Sequence, residues 1–78
     1  MECRNRLEYW RLQLAAKRGK GINQKEMAIY LGVERTIYNK WERHVNEPTR
    51  DHIWDCWNKL KHDFPEINLQ DLLEDAPI

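Results

Sequence analysis

Glycine is scarce in this 78-residue chain, and the three present, Gly19, Gly21 and Gly32, form no glycine-rich phosphate loop. Cysteine is scarcer still. Cys3 lies near the N-terminus and Cys56 falls inside a helical apolar pattern, so two reduced thiols are expected rather than a structural disulfide. His44, His52 and His62 share no zinc-type spacing with either cysteine, and no metal ligand set is expected. No apolar run approaches the roughly 20 residues that span a bilayer, and Met1 to Arg11 lacks the apolar stretch of a signal peptide. Neither a Ser-His-Asp nor a Cys-His arrangement follows from local spacing. These absences set the expectation of a cytoplasmic, non-enzymatic protein with no cofactor, no membrane segment and no small-molecule substrate.

Net charge is also absent: the formal value is zero, which at first argues against a nucleic-acid partner. The average hides a gradient. Residues 1 to 50 carry 11 Lys/Arg against six Asp/Glu, a balance of +5, whereas residues 51 to 78 carry two against seven, a balance of −5. Salt screens charges more than about 10 Å apart at 0.1 M, so a basic half facing a polyanion keeps its local attraction despite the neutral total. The bland alternative is that solvated helix faces simply differ in sign.

What the chain does have is aromatic bulk and helical period. Four Trp, three Tyr and one Phe supply enough apolar area for a single core in so short a chain, and one domain, residues 1–78, is expected. Asn5 to Arg18 places Leu7, Trp10 and Leu14 three to four residues apart and reads as a first helix, stopped by Gly19 and Gly21. Asn23 is a good N-cap for a second, with Glu26 three residues on, and Gly32 ends it after barely two turns. From Glu34 the period resumes. Tyr38 and Trp41 share one face while Arg35, Thr36, Asn39 and Lys40 fall on the other. Pro48 and Thr49 precede a fourth helix with the stripe Ile53, Cys56, Trp57 and Leu60, and Asn68 precedes a fifth carrying Leu69, Leu72 and Leu73. The expected fold class is therefore all-α, a compact bundle of five short helices with no strand.

Two short helices around a tight glycine turn cross steeply, the shape in which one helix enters a major groove about 12 Å wide while the other braces it. The window QKEMAIYLGVERTIYNKWER, residues 24 to 43, meets each demand of that shape. Ala28 is small where the two helices approach, Gly32 makes the turn, and Met27, Leu31, Val33, Tyr38 and Trp41 hold the angle. Aromatics on the inner face of an amphipathic helix are core far more often than stacking platforms for single-stranded bases.

These residues resemble the helix-turn-helix of the Cro and lambda-repressor-like family of bacterial and phage transcriptional regulators. The likeness extends over most of the chain, from Leu7, Trp10 and Arg11, through the window and the stripe after Glu47-Pro48-Thr49, to Ile67–Leu73. It implies a sequence-specific regulator of double-stranded DNA, acting as a repressor and a homodimer at the nucleoid, that reads the major groove with helix 35–43. Gln24, Arg35, Thr36, Asn39 and Lys40 match base-reading positions, and their chemistry is suited to base edges. Arg and Lys donate to guanine O6/N7, Asn pairs with adenine, and Thr touches a thymine methyl. Asn23, Arg43, His44 and Asn46 match or flank positions that hold phosphates. Glu42 is implied to pair with Arg11. Glu34 stands where the family has a small hydroxyl residue, and the stretch from Arg11 to Asn23 is several residues longer than the family's. Either helix one is extended or its basic loop projects, and two consequences stay open: phosphate contacts from that loop through Lys17, Arg18 and Lys20, or an Arg11 that falls short of Glu42. A different function class also stands, a protein-interaction or antitoxin-like module using the acidic, leucine-rich C-terminal helices or an exposed Trp54. The dimer surface stays open among helix four, the last helix, and contact made only on DNA.

Overall fold

The computed structural model describes residues 4–74; Cys3, with any role in a disulfide, lies outside the described residues. The chain forms α1 (Leu7–Arg18), α2 (Gln24–Leu31), α3 (Arg35–Glu42) and α4 (Arg50–Leu60). Polar side chains satisfy the first turns of three of them. Asn5 Oδ1 accepts the Leu7 N–H at 3.1 Å, Asn23 accepts the Glu26 N–H at 2.8 Å, and Thr49 accepts the His52 N–H at 3.3 Å. At the other ends of α1 and α2, Gly19 and Gly32 take left-handed φ of 70° and 77°, and each lets the following N–H reach back to a carbonyl of the last turn.

The expected fifth helix is not α-helical. Leu69–Leu72 forms a single 3-10 turn, after which Leu73–Glu74 (β2) pairs antiparallel with Arg4–Asn5 (β1), Asn5 opposite Leu73. Sequence period alone reads Leu69, Leu72 and Leu73 as one helix face. Pairing wins because the chain has only four residues between Asn68 and the point where the Leu72 carbonyl accepts the Arg6 N–H at 2.7 Å. The same pairing explains why α1 begins at Leu7 rather than Asn5. Strand character, expected nowhere, is thus confined to two residues at each end of the described chain.

One core joins all these elements. Leu7 and Leu14 of α1, Met27, Ala28 and Leu31 of α2, Tyr38 and Trp41 of α3, Ile53, Cys56 and Leu60 of α4, and Leu72 of the 3-10 turn are all buried, with Val33 packed against them. Burial pushes the Cys56 thiol up to about 12, so it remains a thiol and behaves as a small apolar side chain. Trp10 donates to the Asp71 carbonyl at 2.8 Å and Trp57 to that of Ile67 at 3.0 Å. Both indoles therefore fasten the C-terminal segment to the helices. No helix of the described residues is long and apolar enough to cross a membrane.

Asn5 is the buried polar residue that closes the ends. Its Nδ2 donates to the Trp41 carbonyl at 2.8 Å and to Glu47 Oε1 at 2.9 Å, while its own N–H donates to the same carboxylate oxygen. Asn5→Ala leaves the buried Leu7 N–H without its acceptor and removes one of the donors to the Trp41 carbonyl, and should cost about 1–3 kcal/mol in urea denaturation. A loss within error of zero would show that water satisfies those groups.

Candidate nucleic-acid interface

The face with the richest polar chemistry is built by α2 and α3, and its geometry starts from one ion pair. Arg11 Nε lies 2.8 Å from Glu42 Oε2 and its Nη2 3.2 Å from Oε1, while Nη1 donates to the Ile22 carbonyl at 2.9 Å. The guanidinium thus ties α1 to α3 and to the approach to α2. Arg11 reaches Glu42, and the longer stretch before Asn23 is absorbed by extending α1 to Arg18.

Glu42 passes the ordering on. Gln24 Nε2 donates to Glu42 Oε1 at 3.0 Å, and Gln24 Oε1 accepts from Asn39 Nδ2. A chain Arg11, Glu42, Gln24, Asn39 therefore holds two of the expected base-reading side chains in fixed orientation before any ligand arrives. Burial would push the Glu42 carboxyl up, but hydrogen bonds from Arg11, from the Tyr38 hydroxyl and from Gln24 outweigh it and hold it below the ordinary value. Tyr38, fully buried, lies with its hydroxyl 3.5 Å from the Leu7 carbonyl and facing this carboxylate, which is the stronger acceptor because it is charged.

Beside this chain lies a cleft of about 380 Å³ lined by Arg11, Asn23, Gln24, Lys25 and Arg35. It gathers three of the expected contact residues with Lys25 at the N-terminal ends of α2 and α3, beside Arg11 of α1, whose charge is taken up by Glu42. Lys25 is the residue that sequence reasoning misses. The signal available for it is its place in the first turn of α2, where a phosphate approaching the helix N-terminus meets it.

Arg35, Thr36 and Lys40 are exposed on α3, and Asn39 is half-buried by its bond to Gln24. The end of α3 is closed by a non-glycine residue in left-handed conformation, His44 at φ 59°. Its N–H donates to the Trp41 carbonyl at 3.1 Å and that of Val45 to Lys40 at 3.0 Å, the two-bond closure that glycine ordinarily serves. His44 Nδ1 then lies 2.9 Å from Glu47 Oε2. Arg43 and Asn46 remain exposed on either side of it.

The basic last turn of α1 is engaged elsewhere. Lys17 donates to the Asp63 carbonyl and sits 5.1 Å over the Phe64 ring. Arg18 reaches Asp63 Oδ2 at 3.4 Å, the oxygen that also accepts from Tyr30 at 2.6 Å. These two cations serve the junction of α1 with the end of α4 in this structure and are not gathered with Asn23, Gln24 and Arg35; Lys20 alone of the three extends freely from the loop. Of the two consequences left open by the sequence, neither holds as stated: Lys17 and Arg18 are the last turn of α1, held by Asp63 and Phe64, and not part of a projecting loop. Among the described residues, no group of three or more His, Cys, Asp or Glu side chains is placed to hold a metal ion.

No family model, curated protein or solved structure matches the chain.

Glu42 and Glu47 are both held below the ordinary 4.5 in the folded chain, Glu47 because bonds from Asn5 and His44 outweigh its burial. The stability they add is present above that unfolded value and is lost as the pH falls through their lower folded values. Thermal melting from about pH 7 to about pH 3 should show this decline in the wild type. The stability gap between wild type and Glu42→Gln should shrink over the same range; a constant gap would mean that the carboxylate's charge contributes nothing.

Proposed function

We propose that this chain is a sequence-specific double-stranded DNA-binding regulator, a repressor of the Cro and lambda-repressor-like kind, in which α2 and α3 act as a helix-turn-helix. The observation that carries the reading is the ordered pair Gln24 and Asn39 beside the exposed Arg35, Thr36 and Lys40, next to a cleft that the exposed Lys25 also lines. Side chains fixed in advance lose less rotamer freedom on binding, so each base contact is worth more. In this reading α3 lies in the major groove, with Arg35, Thr36, Asn39, Lys40 and Gln24 at base edges. Asn23, Lys25, Arg43, His44, Asn46 and Lys20 hold phosphates, and Lys17 and Arg18 join them only by leaving Asp63. Glu34, exposed at the start of α3, repels phosphate unless it accepts from a cytosine N4, which makes it a filter on sequence. The protein acts in the cytoplasm, at the nucleoid, without cofactor or catalysis, as a homodimer on paired half-sites.

Selection from a random duplex pool at several salt concentrations tests this directly. An enriched sequence with salt-dependent affinity is expected, and the absence of both would sink the reading. Lys40→Ala and Asn39→Ala should each change sequence preference by about 1–3 kcal/mol at one position, whereas Arg43→Ala should weaken every duplex alike. Equal losses on all duplexes for the three variants would contradict the division into readers and anchors.

The second reading, a protein-interaction module, is favoured by one observation: Trp54 is 50% exposed on α4. The two functions are compatible.

A further inference from the structure

Large apolar side chains are exposed at several places: Ile29 on α2, Ile37 on α3 and Val45 after it stand singly, and Tyr9 and Leu12 form a pair on α1. Scattered residues of this kind are ordinary. Trp54 differs because its surroundings are organised. Asp51, Trp54, Asn58 and Lys61, all exposed, recur along α4 at steps of three, four and three, so they form one stripe on a single helix face. The core-facing stripe Ile53, Cys56 and Leu60 lies on another side. Trp57 flanks the exposed stripe, its ring 5.0 Å from that of Trp54 in an edge-on arrangement, with the Lys61 ammonium 4.3 Å above it. Asn58 bonds back to the Trp54 carbonyl at 3.1 Å, which draws its side chain along the helix axis.

The order of charge along this stripe identifies its occupant. It runs acid, aromatic, polar, base, and it is its own complement when reversed. A second α4 laid antiparallel about a two-fold axis between Trp54 and Asn58 sets Asp51 opposite Lys61 of the other copy at both ends and each Trp54 opposite the other Asn58. A parallel copy would set acid against acid. We propose that α4 is the self-association face of this protein, an isologous two-fold contact built on Trp54 and two Asp51–Lys61 pairs between copies. An 11-residue helix is only about 16 Å long, so the contact is small and the dimer is a weak one in free solution. It stands independently of the DNA-binding reading, since no part of the α2–α3 face enters it.

Charge reversal tests the geometry without DNA. Sedimentation of the wild type at rising concentration, up to roughly 1 mM, should show mass shifting from monomer toward dimer. Asp51→Lys sets base against base and Lys61→Asp acid against acid, so each alone should weaken association by roughly tenfold or more. Mixed in equal amounts, the two variants regain both pairs and should recover a dimer of one chain of each. The double variant Asp51→Lys/Lys61→Asp should recover it too, although both changes oppose the helix dipole and lower the stability of the monomer. Recovery thus separates docking from folding. A wild type that stays monomeric, single variants that still dimerise, or a mixture that stays monomeric would each overturn the proposal, the first of these leaving the stripe to a different protein. None of those outcomes bears on duplex binding, which is read in a separate measurement.

Discussion

The Arg11–Glu42 ion pair is the contact on which the α2–α3 face depends, because it fastens three separately folded segments to one point. Glu42 is almost wholly buried, and a carboxylate in that position survives only with its lone pairs satisfied. The guanidinium meets both oxygens and still has a nitrogen for the Ile22 carbonyl, which a lysine could not do. α1, the approach to α2, and α3 are thereby fixed at once. Remove either charge and the other is left desolvated and unpaired, so the arrangement tends to form whole or not at all.

From that point the order spreads outward by hydrogen bonds of decreasing burial. Glu42 orients Gln24, Gln24 orients Asn39, and the exposed Arg35, Thr36 and Lys40 are left with full rotamer freedom. The face therefore combines an anchored polar pair with mobile cations. On the proposed DNA-binding reading, the fixed pair meets base edges in a pre-set geometry while Arg35 and Lys40 adjust to theirs. Tyr38 belongs to the same unit, since its ring fills the core and its hydroxyl faces the carboxylate. Core packing and site order are in this sense one structure.

Helices, caps and core are legible in the sequence because each rests on local spacing: Leu7 to Leu14, Asn23 before α2, Gly32 after it, Thr49 before α4. The exposure of Trp54 follows from the same helical arithmetic. What period cannot show is a contact made across the chain. Asn5 has the pattern of a helix residue, yet its partners stand 36 and 42 positions away. Lys17 and Arg18 have the pattern of free cations for the same reason, their acceptor being 45 or more positions on. Leu69 to Leu73 has helical spacing but loses its last residue to pairing with Asn5. In the site, the chemistry of Gln24 and Asn39 is readable and their mutual bond is not. The backbone of His44 gives no signal at all, since a left-handed residue after a helix is ordinarily glycine or asparagine.

The structure also changes what the charge gradient can do. With Arg11 buried against Glu42 and Lys17 and Arg18 engaged by Asp63, the exposed cations of the α2–α3 segment are Lys25, Arg35, Lys40 and Arg43, and Glu26 and Glu34 stand among them. The long-range field at this face is accordingly weaker than the +5 balance of the first 50 residues suggests. On the proposed DNA-binding reading, each phosphate neutralised contributes a slope of about −0.9 to the dependence of log affinity on log salt, so a monomer with so few exposed cations would gain little from the backbone alone. Affinity must then come from base contacts or from valency. A weak contact between copies becomes effective once both sit on adjacent half-sites, because the second binding is then intramolecular. A neutral chain with an ordered α2–α3 face and a self-complementary stripe on α4 is consistent with that proposed solution: specificity from the pre-set side chains, and strength from pairing rather than from charge.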